Sequence, residues 1–193
     1  MSLGLLRSSD DLHGNAEFRI QREREAERMI AQGEMVTIIP AVHMEKLEMA
    51  VGTFGPFSPM APCMVPLYVA LFLRHSLLCT IQAPEWLSVQ YLQRAIEREE
   101  ETTGEFGAIS MHLFENAETC LEACDVRENV SEVRILLKRL GEMRMKKLLK
   151  GVEYIDTPVI GMNNLTLYEF RRIKEYITPH LSMQKAFSKG LNK

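Results

Sequence analysis

Between Val65 and Leu92 the chain reads V-P-L-Y-V-A-L-F-L-R-H-S-L-L-C-T-I-Q-A-P-E-W-L-S-V-Q-Y-L. Its opening run, Leu67 to Leu73, is too continuously apolar to carry one wet face, so we expect it to be buried on nearly all sides, with a packing partner on each. A short β-like piece, Leu77 to Ile81, follows it. Ala83-Pro84-Glu85-Trp86 then introduces a helical pattern through Leu87, Tyr91, Leu92 and Ile96, with Pro84 in the first turn, where its missing N–H costs nothing. The stretch therefore reads as a hinge between a mixed N-terminal part and a helical C-terminal part.

Only a chain with enough apolar content can bury such a segment, and 46% hydrophobic with 25% charged residues is ordinary globular usage. No run of about 18 apolar residues is present to span a bilayer, and Arg7, Asp10 and Asp11 beside the short Leu3 to Leu6 run do not make a signal peptide. The expectation is a soluble intracellular protein with no membrane association. Cys63, Cys79, Cys120 and Cys124 are too few and too unevenly spaced for a disulfide framework and read as reduced thiols.

Three divisions are expected: an N-terminal extension and exposed helix over 1–33, a small β-rich domain over 34–83, and an α-helical domain over 84–193. Residues 1 to 14 have no period and read as disordered. From the cap Asn15 a charge-rich helix runs to Gly33. Met35-Val36-Thr37-Ile38-Ile39-Pro40 is a β-branched strand, Lys46 to Val51 a second strand, and Gly52 to Pro59 turns and extended pieces.

The second half reads as helices over Pro84 to Glu101, Phe106 to Ala123 and Arg127 to Lys150. In the third, Asp125 is the expected cap with Glu128 three residues on, and Val130, Val133, Leu136, Leu137, Leu140 and Met143 form a stripe that needs a partner. Gly151 and Thr157 to Gly161 break the pattern. A last helix opens on the capping box Thr166-Leu167-Tyr168-Glu169, carries Phe170, Ile173 and Ile177 inward, and is expected to kink at Thr178-Pro179. The fold class is α+β, mainly α.

Charge is segregated in this half. Residues 97–125 hold nine acids against Arg98, and residues 126–150 hold eight bases against three acids, giving −8 and +5. One reading is a basic helix that touches nucleic acid through Arg144, Lys146, Lys147 and Lys150; the other, which we favour, is a solvated face balanced by the acidic block beside it.

Catalytic signatures do not emerge: the chain has no G-x-S-x-G, no phosphate-cradling glycine loop and no H-E-x-x-H. Cys120 and Cys124 lie one helical turn apart near His112 but lack a credible fourth metal ligand, so we read them as buried thiols. Neither a cofactor nor a metal is implied. What remains is more amphipathic helix than one small chain easily hides, which favours an interaction protein over an enzyme.

Several short pieces sharpen that reading. Val36-Thr37-Ile38-Ile39-Pro40, Gly55-Pro56-Phe57, Val65-Pro66-Leu67 and Pro84-Glu85-Trp86 resemble, in order and spacing, the N-terminal half of subunit two of the eukaryotic GINS complex. Glu132-Val133-Arg134 with Leu137, Arg144 and Lys147-Leu148 is similar to that family's long helix, and Asn164-Leu165-Thr166-Leu167 with Glu169 to its final signature. The resemblance spans Glu34 to Leu181; it departs at an N-terminal extension and at Tyr68, where the family often has tryptophan.

The resemblance implies a noncatalytic subunit of a heterotetramer with three other GINS subunits. That tetramer joins the MCM hexamer and a RecJ-like partner in the nuclear CMG replicative helicase and contacts the leading-strand polymerase. On this view Val133, Leu136, Leu137, Leu140, Phe170, Ile173 and Ile177 face sister subunits. The rival is an independent nucleic-acid-binding module using the basic 127–150 helix.

Overall fold

Strand β1, Met35–Pro40, alternates outward and inward side chains as its β-branched sequence requires, burying Val36, Ile38 and Pro40. The computed structural model describes residues 21–102, 104–126, 128–153, 163–174 and 177–178. The expected N-terminal tail, the helix start at Asn15, the break over Thr157 to Gly161 and the kink at Pro179 lie outside the described residues. Elements follow in the order α1 (21–31), β1, β2 (Leu47–Met49), β3 (Gly52–Phe54), β4 (Cys63–Pro66), α2 (Leu67–His75), β5 (Cys79–Gln82) and a 3-10 turn (Glu85–Leu87). Then come α3 (Val89–Glu101), α4 (Leu113–Ala123), β6 (Cys124–Asp125), α5 (Val130–Glu153) and α6 (167–174). The architecture is α+β, with a small sheet first and a helical bundle after it.

The main sheet has the order β4-β1-β5-β6. Its first three strands are antiparallel, with Val36 opposite Val65 and Ile38 opposite Ile81. Strand β6 pairs in parallel with β5, Ile81 opposite Cys124, so the second half of the chain supplies an edge strand. The remaining two strands form a separate hairpin, with Leu47 opposite Phe54. Gly55, in Gly-Pro-Phe, has φ of +97°, and a Cβ there would stand 3.0 Å from the ring of the buried Phe57. Both facts demand glycine at that position.

Helix α2 buries Leu67, Val69, Ala70 and Leu73. Enclosure on nearly all sides does not occur: Phe72 is exposed and Leu71 half-buried, because a helix laid on one sheet keeps one face outward. The strand expected from Leu77 starts instead at Cys79. Leu77 donates its N–H to the Arg74 carbonyl at 2.8 Å and Leu78 to that of Leu73 at 2.9 Å, a Schellman ending with Leu77 at φ 58°.

Helix boundaries in the second half shift for local polar reasons. Ser88, extended at φ −83° and ψ 147°, interrupts the helix expected over Pro84 to Glu101; its Oγ accepts the Tyr91 N–H at 3.2 Å and starts α3 afresh. The helix expected from Phe106 starts only at Leu113, because the segment before it is held as a loop by side chains of α3 and α5. Asp125 lies in β6, so Asn129 caps α5 instead, its Oδ1 accepting the Ser131 N–H at 3.0 Å. Glu128 reaches across to accept the N–H of Val89 at the start of α3. The capping box on α6 forms as expected: Thr166 N–H donates to Glu169 Oε2 at 2.9 Å, and Glu169 N–H to Thr166 Oγ1 at 3.2 Å.

One core runs from Val36 and Ile38 in the sheet through Trp86, Leu87 and Leu92 to Val133 and Leu140 on α5. No helix among the described residues is long and apolar enough to cross a membrane.

Candidate functional site

Position 144 lies on the inward stripe of α5, where the neighbouring turns place Leu140 and Leu148, so its arginine is carried into the interior. Arg144 is fully buried and engages four segments at once. Its Nε and Nη2 donate to Glu169 Oε1 and Oε2 at 2.6 and 3.0 Å, and Nη1 donates to Glu99 on α3. Nη1 and Nη2 also donate to the carbonyls of Gly107 at 2.9 Å and Asn164 at 2.7 Å. Lys147, one turn-face away, donates to Glu99 Oε2 at 2.6 Å and to the Glu105 carbonyl at 3.0 Å. Phe106 lies under both cations, its ring centre 5.1 Å from the Arg144 guanidinium carbon and 5.5 Å from Lys147 Nζ.

Two cations thus meet two carboxylates in a dry junction of α3, α5, the loop before α4 and the start of α6. Such a site is tolerable only when every charge has a partner. It also accounts for Asn164 in the final signature: at φ 60°, a conformation asparagine accepts, its carbonyl faces Arg144 and its Nδ2 donates to the Phe106 carbonyl at 3.0 Å.

This arrangement corrects the nucleic-acid reading for two residues. Arg144 has no exposed surface, and Lys147, with a side chain 16% exposed, is committed to Glu99. Lys146 and Lys150 do stand at the surface. Other bases of α5 meet the acidic block across the helix packing, Arg139 to Glu100 at 2.8 Å and Arg134 to Glu118 at 2.5 Å. The charge segregation is therefore largely internal balance, as favoured from the sequence.

A second correction concerns the apolar stripe. Val133, Leu140 and Ile173 are enclosed by the chain itself, and Leu137 is 8% exposed. Positions three and four apart on α5 are already used against the chain's own helices, which removes Val133, Leu140 and Ile173 as contact surface. Leu136 and Ile177 are half-buried and Phe170 is half-exposed. Among the motif residues, Val36, Ile38, Pro40, Phe57, Pro66, Leu67, Trp86 and Glu169 are buried, and Ile39, Pro84, Leu165 and Leu167 half-buried.

The surface feature missed by the sequence reading is a groove of about 890 Å³ between α4, α5 and α6. Its floor comprises Phe114, Leu137, Gly141, Met145 and Tyr168. The rings of Phe114 and Tyr168 pack at 5.7 Å, tilted 45°. Gly141 matters here because a Cβ would meet Phe114 at 3.3 Å. The groove follows the α5 positions 134, 138, 141, 145 and 149, a second periodic stripe beside the buried one, half-hidden in the sequence among lysines and arginines.

Nearby, burial pushes the Glu115 carboxyl above the usual range, against the pull of backbone N–H groups and His112. Cys120 and Cys124 are both buried, and a hydrogen bond between their side chains raises the first thiol and lowers the second. Among the described residues no three His, Cys, Asp or Glu side chains converge as a metal site.

The fold defines the class as α+β, a small mixed sheet followed by a helical bundle. The PSF2 N-terminal domain model matches residues 25–82, and the GINS complex protein helical bundle domain model matches residues 86–187. Similar proteins include a probable DNA replication complex GINS protein PSF2 of Encephalitozoon cuniculi, 34% identical over 77% of this chain and 85% of the relative. The corresponding proteins of Xenopus laevis and Homo sapiens are 33% and 31% identical, each over 79% of this chain and 85% of the relative. The chain belongs to the PSF2 family of GINS proteins.

Proposed function

We propose that this chain is a noncatalytic structural subunit of a GINS heterotetramer acting in DNA replication. Its β-rich part, 34–83, and helical part, 84–193, act together within a larger assembly. The observation that carries the reading is the groove: with its interior charges paired, the bundle still presents an apolar floor to solvent. Buried polar clusters keep a fold in one geometry, and an exposed apolar floor draws a partner. Within the nucleus the tetramer would join the MCM hexamer and a RecJ-like partner as the CMG helicase, with contact to the leading-strand polymerase through the tetramer. DNA contact is weak or indirect, since Arg144 and Lys147 are spent inside.

Co-expression with the three sister subunits of the same organism, followed by size-exclusion chromatography and mass measurement, tests this. The expected product is one stable assembly with one copy of each chain. A well-behaved monomer that ignores all three sisters would overturn the proposal.

A further inference from the structure

Helix α4 ends on a cysteine that belongs to two structures at once. The N–H of Cys124 donates to the Cys120 carbonyl and closes the last turn of α4, while the same residue opens β6 opposite Ile81 of β5. Four residues apart on one helix, the two cysteines share a face, and their Cα atoms lie about 6 Å apart. That face is inward, Cys120 being 0% and Cys124 8% exposed, and the two thiols are hydrogen-bonded to each other. The pair is close to disulfide geometry without meeting it. A disulfide accepts that Cα separation but needs Cβ atoms roughly 3.5–4.5 Å apart, whereas neighbours one helical turn apart hold them at about 5–6 Å. Closing the bond must therefore move Cys124, which is half of a two-residue strand at the edge of the sheet.

We propose that Cys120 and Cys124 form a redox switch on the seam between the sheet and the bundle: reduced, Cys124 keeps β6 on β5; oxidised to a disulfide, the pair draws Cys124 back onto the α4 turn and releases β6. The co-reactant is a small disulfide such as oxidised glutathione. When β6 opens, as a two-residue edge strand does at little cost, the Cys124 thiolate attacks one glutathione sulfur and expels the other as a thiolate, which takes up the Cys124 proton. Cys120 then gives its proton to the second glutathione as it attacks Cys124 Sγ and expels it. Two protein thiols lose two electrons, and one glutathione disulfide becomes two glutathione thiols. Electrostatics makes Cys124 the attacking group. The hydrogen bond from Cys120 holds its thiol below the usual range; burial opposes this, and Arg74, whose Nη1 donates to the Glu122 carbonyl at 2.9 Å, adds to it. Burial pushes the thiols of Cys63 and Cys79 the other way. Those two stand on β4 and β5 with β1 between them, two strand spacings or about 9.6 Å apart, beyond the reach of a disulfide.

The test places the full-length chain in oxidised and in reduced glutathione and reads its mass, its thiols and its hydrogen exchange. An oxidised form lighter by about 2 Da is expected, in which Cys63 and Cys79 alkylate after denaturation and Cys120 and Cys124 do not. In that form exchange over residues 124–126 should quicken about tenfold or more while β1 and α5 keep their protection, and dithiothreitol should restore both mass and protection. Cys120→Ser should stop at one glutathione on Cys124, and Cys124→Ser should take up none at Cys120, with folding of each checked by thermal melting. If a serine variant does not fold, the wild-type mass, thiol count and exchange decide alone. Thiols at 120 and 124 that stay free in oxidised glutathione, a disulfide between them that leaves exchange in β6 unchanged, or oxidation that melts the whole chain would each overturn the proposal.

Discussion

Arg144 and Glu169, twenty-five positions apart, form a two-point contact in the interior, Nε to Oε1 at 2.6 Å and Nη2 to Oε2 at 3.0 Å. Glu169 is at once the capping-box acid of α6 and the anchor that draws α6 onto α5. One carboxylate thus couples a local helix start to the tertiary packing of the bundle.

Removing the arginine should be severe. Arg144→Met leaves Glu169 as an uncompensated buried charge and Glu99 with Lys147 alone, and a loss of about 3–5 kcal/mol in urea unfolding is expected. Arg144→Lys should also destabilise measurably, since an ammonium cannot make the forked contact. Wild-type stability in the methionine variant would show that the cluster is not dry.

Leu77 sits in the left-handed region at φ 58° with its side chain 87% exposed. Leu77→Gly should therefore relieve backbone strain without forfeiting burial, stabilising the chain by up to about 1 kcal/mol. Thermal melting would register this as a rise in Tm; a fall would mean that the leucine is packed.

The hydroxyl of Tyr68 is buried without a hydrogen-bond partner among the described residues. Tyr68→Phe is expected to be neutral or stabilising by about 1 kcal/mol, because it removes an unpaid desolvation while keeping the ring. A loss above that amount in chemical denaturation would reveal a partner for the oxygen.

Glu115 gives a pH signature. Burial raises its folded-state pKa above the unfolded value, with Glu169 adding to the rise and His112 opposing it, so its stabilising contribution is complete below the ordinary carboxylate range and disappears as pH climbs through the raised value. Glu115→Gln should then be more stable than wild type at pH 7 and lose that advantage at pH 3 to 4. Equal differences at both pH values would contradict this.

Local chemistry made much of the fold legible. A β-branched run ended by proline marked β1 over its full length, and Thr166 with Glu169 marked the start of α6. Period-three-and-four apolar residues marked α5. The two-residue β6 was not legible, since its partner lies over forty positions away in β5 and its sequence has no strand character. Nor was the Ser88 break, where a side chain competed with a helix the pattern favoured.

Sequence alone determined that α5 would be amphipathic and that Arg144, Lys146, Lys147 and Lys150 would share it. Only the tertiary structure decided which of those cations go inside. A helical period places residues on faces but cannot say which face meets α3, or that Glu99 and Glu169 will arrive there from distant segments to pair with Arg144. Burial of a charge depends on partners brought together in space, and no local pattern encodes that meeting.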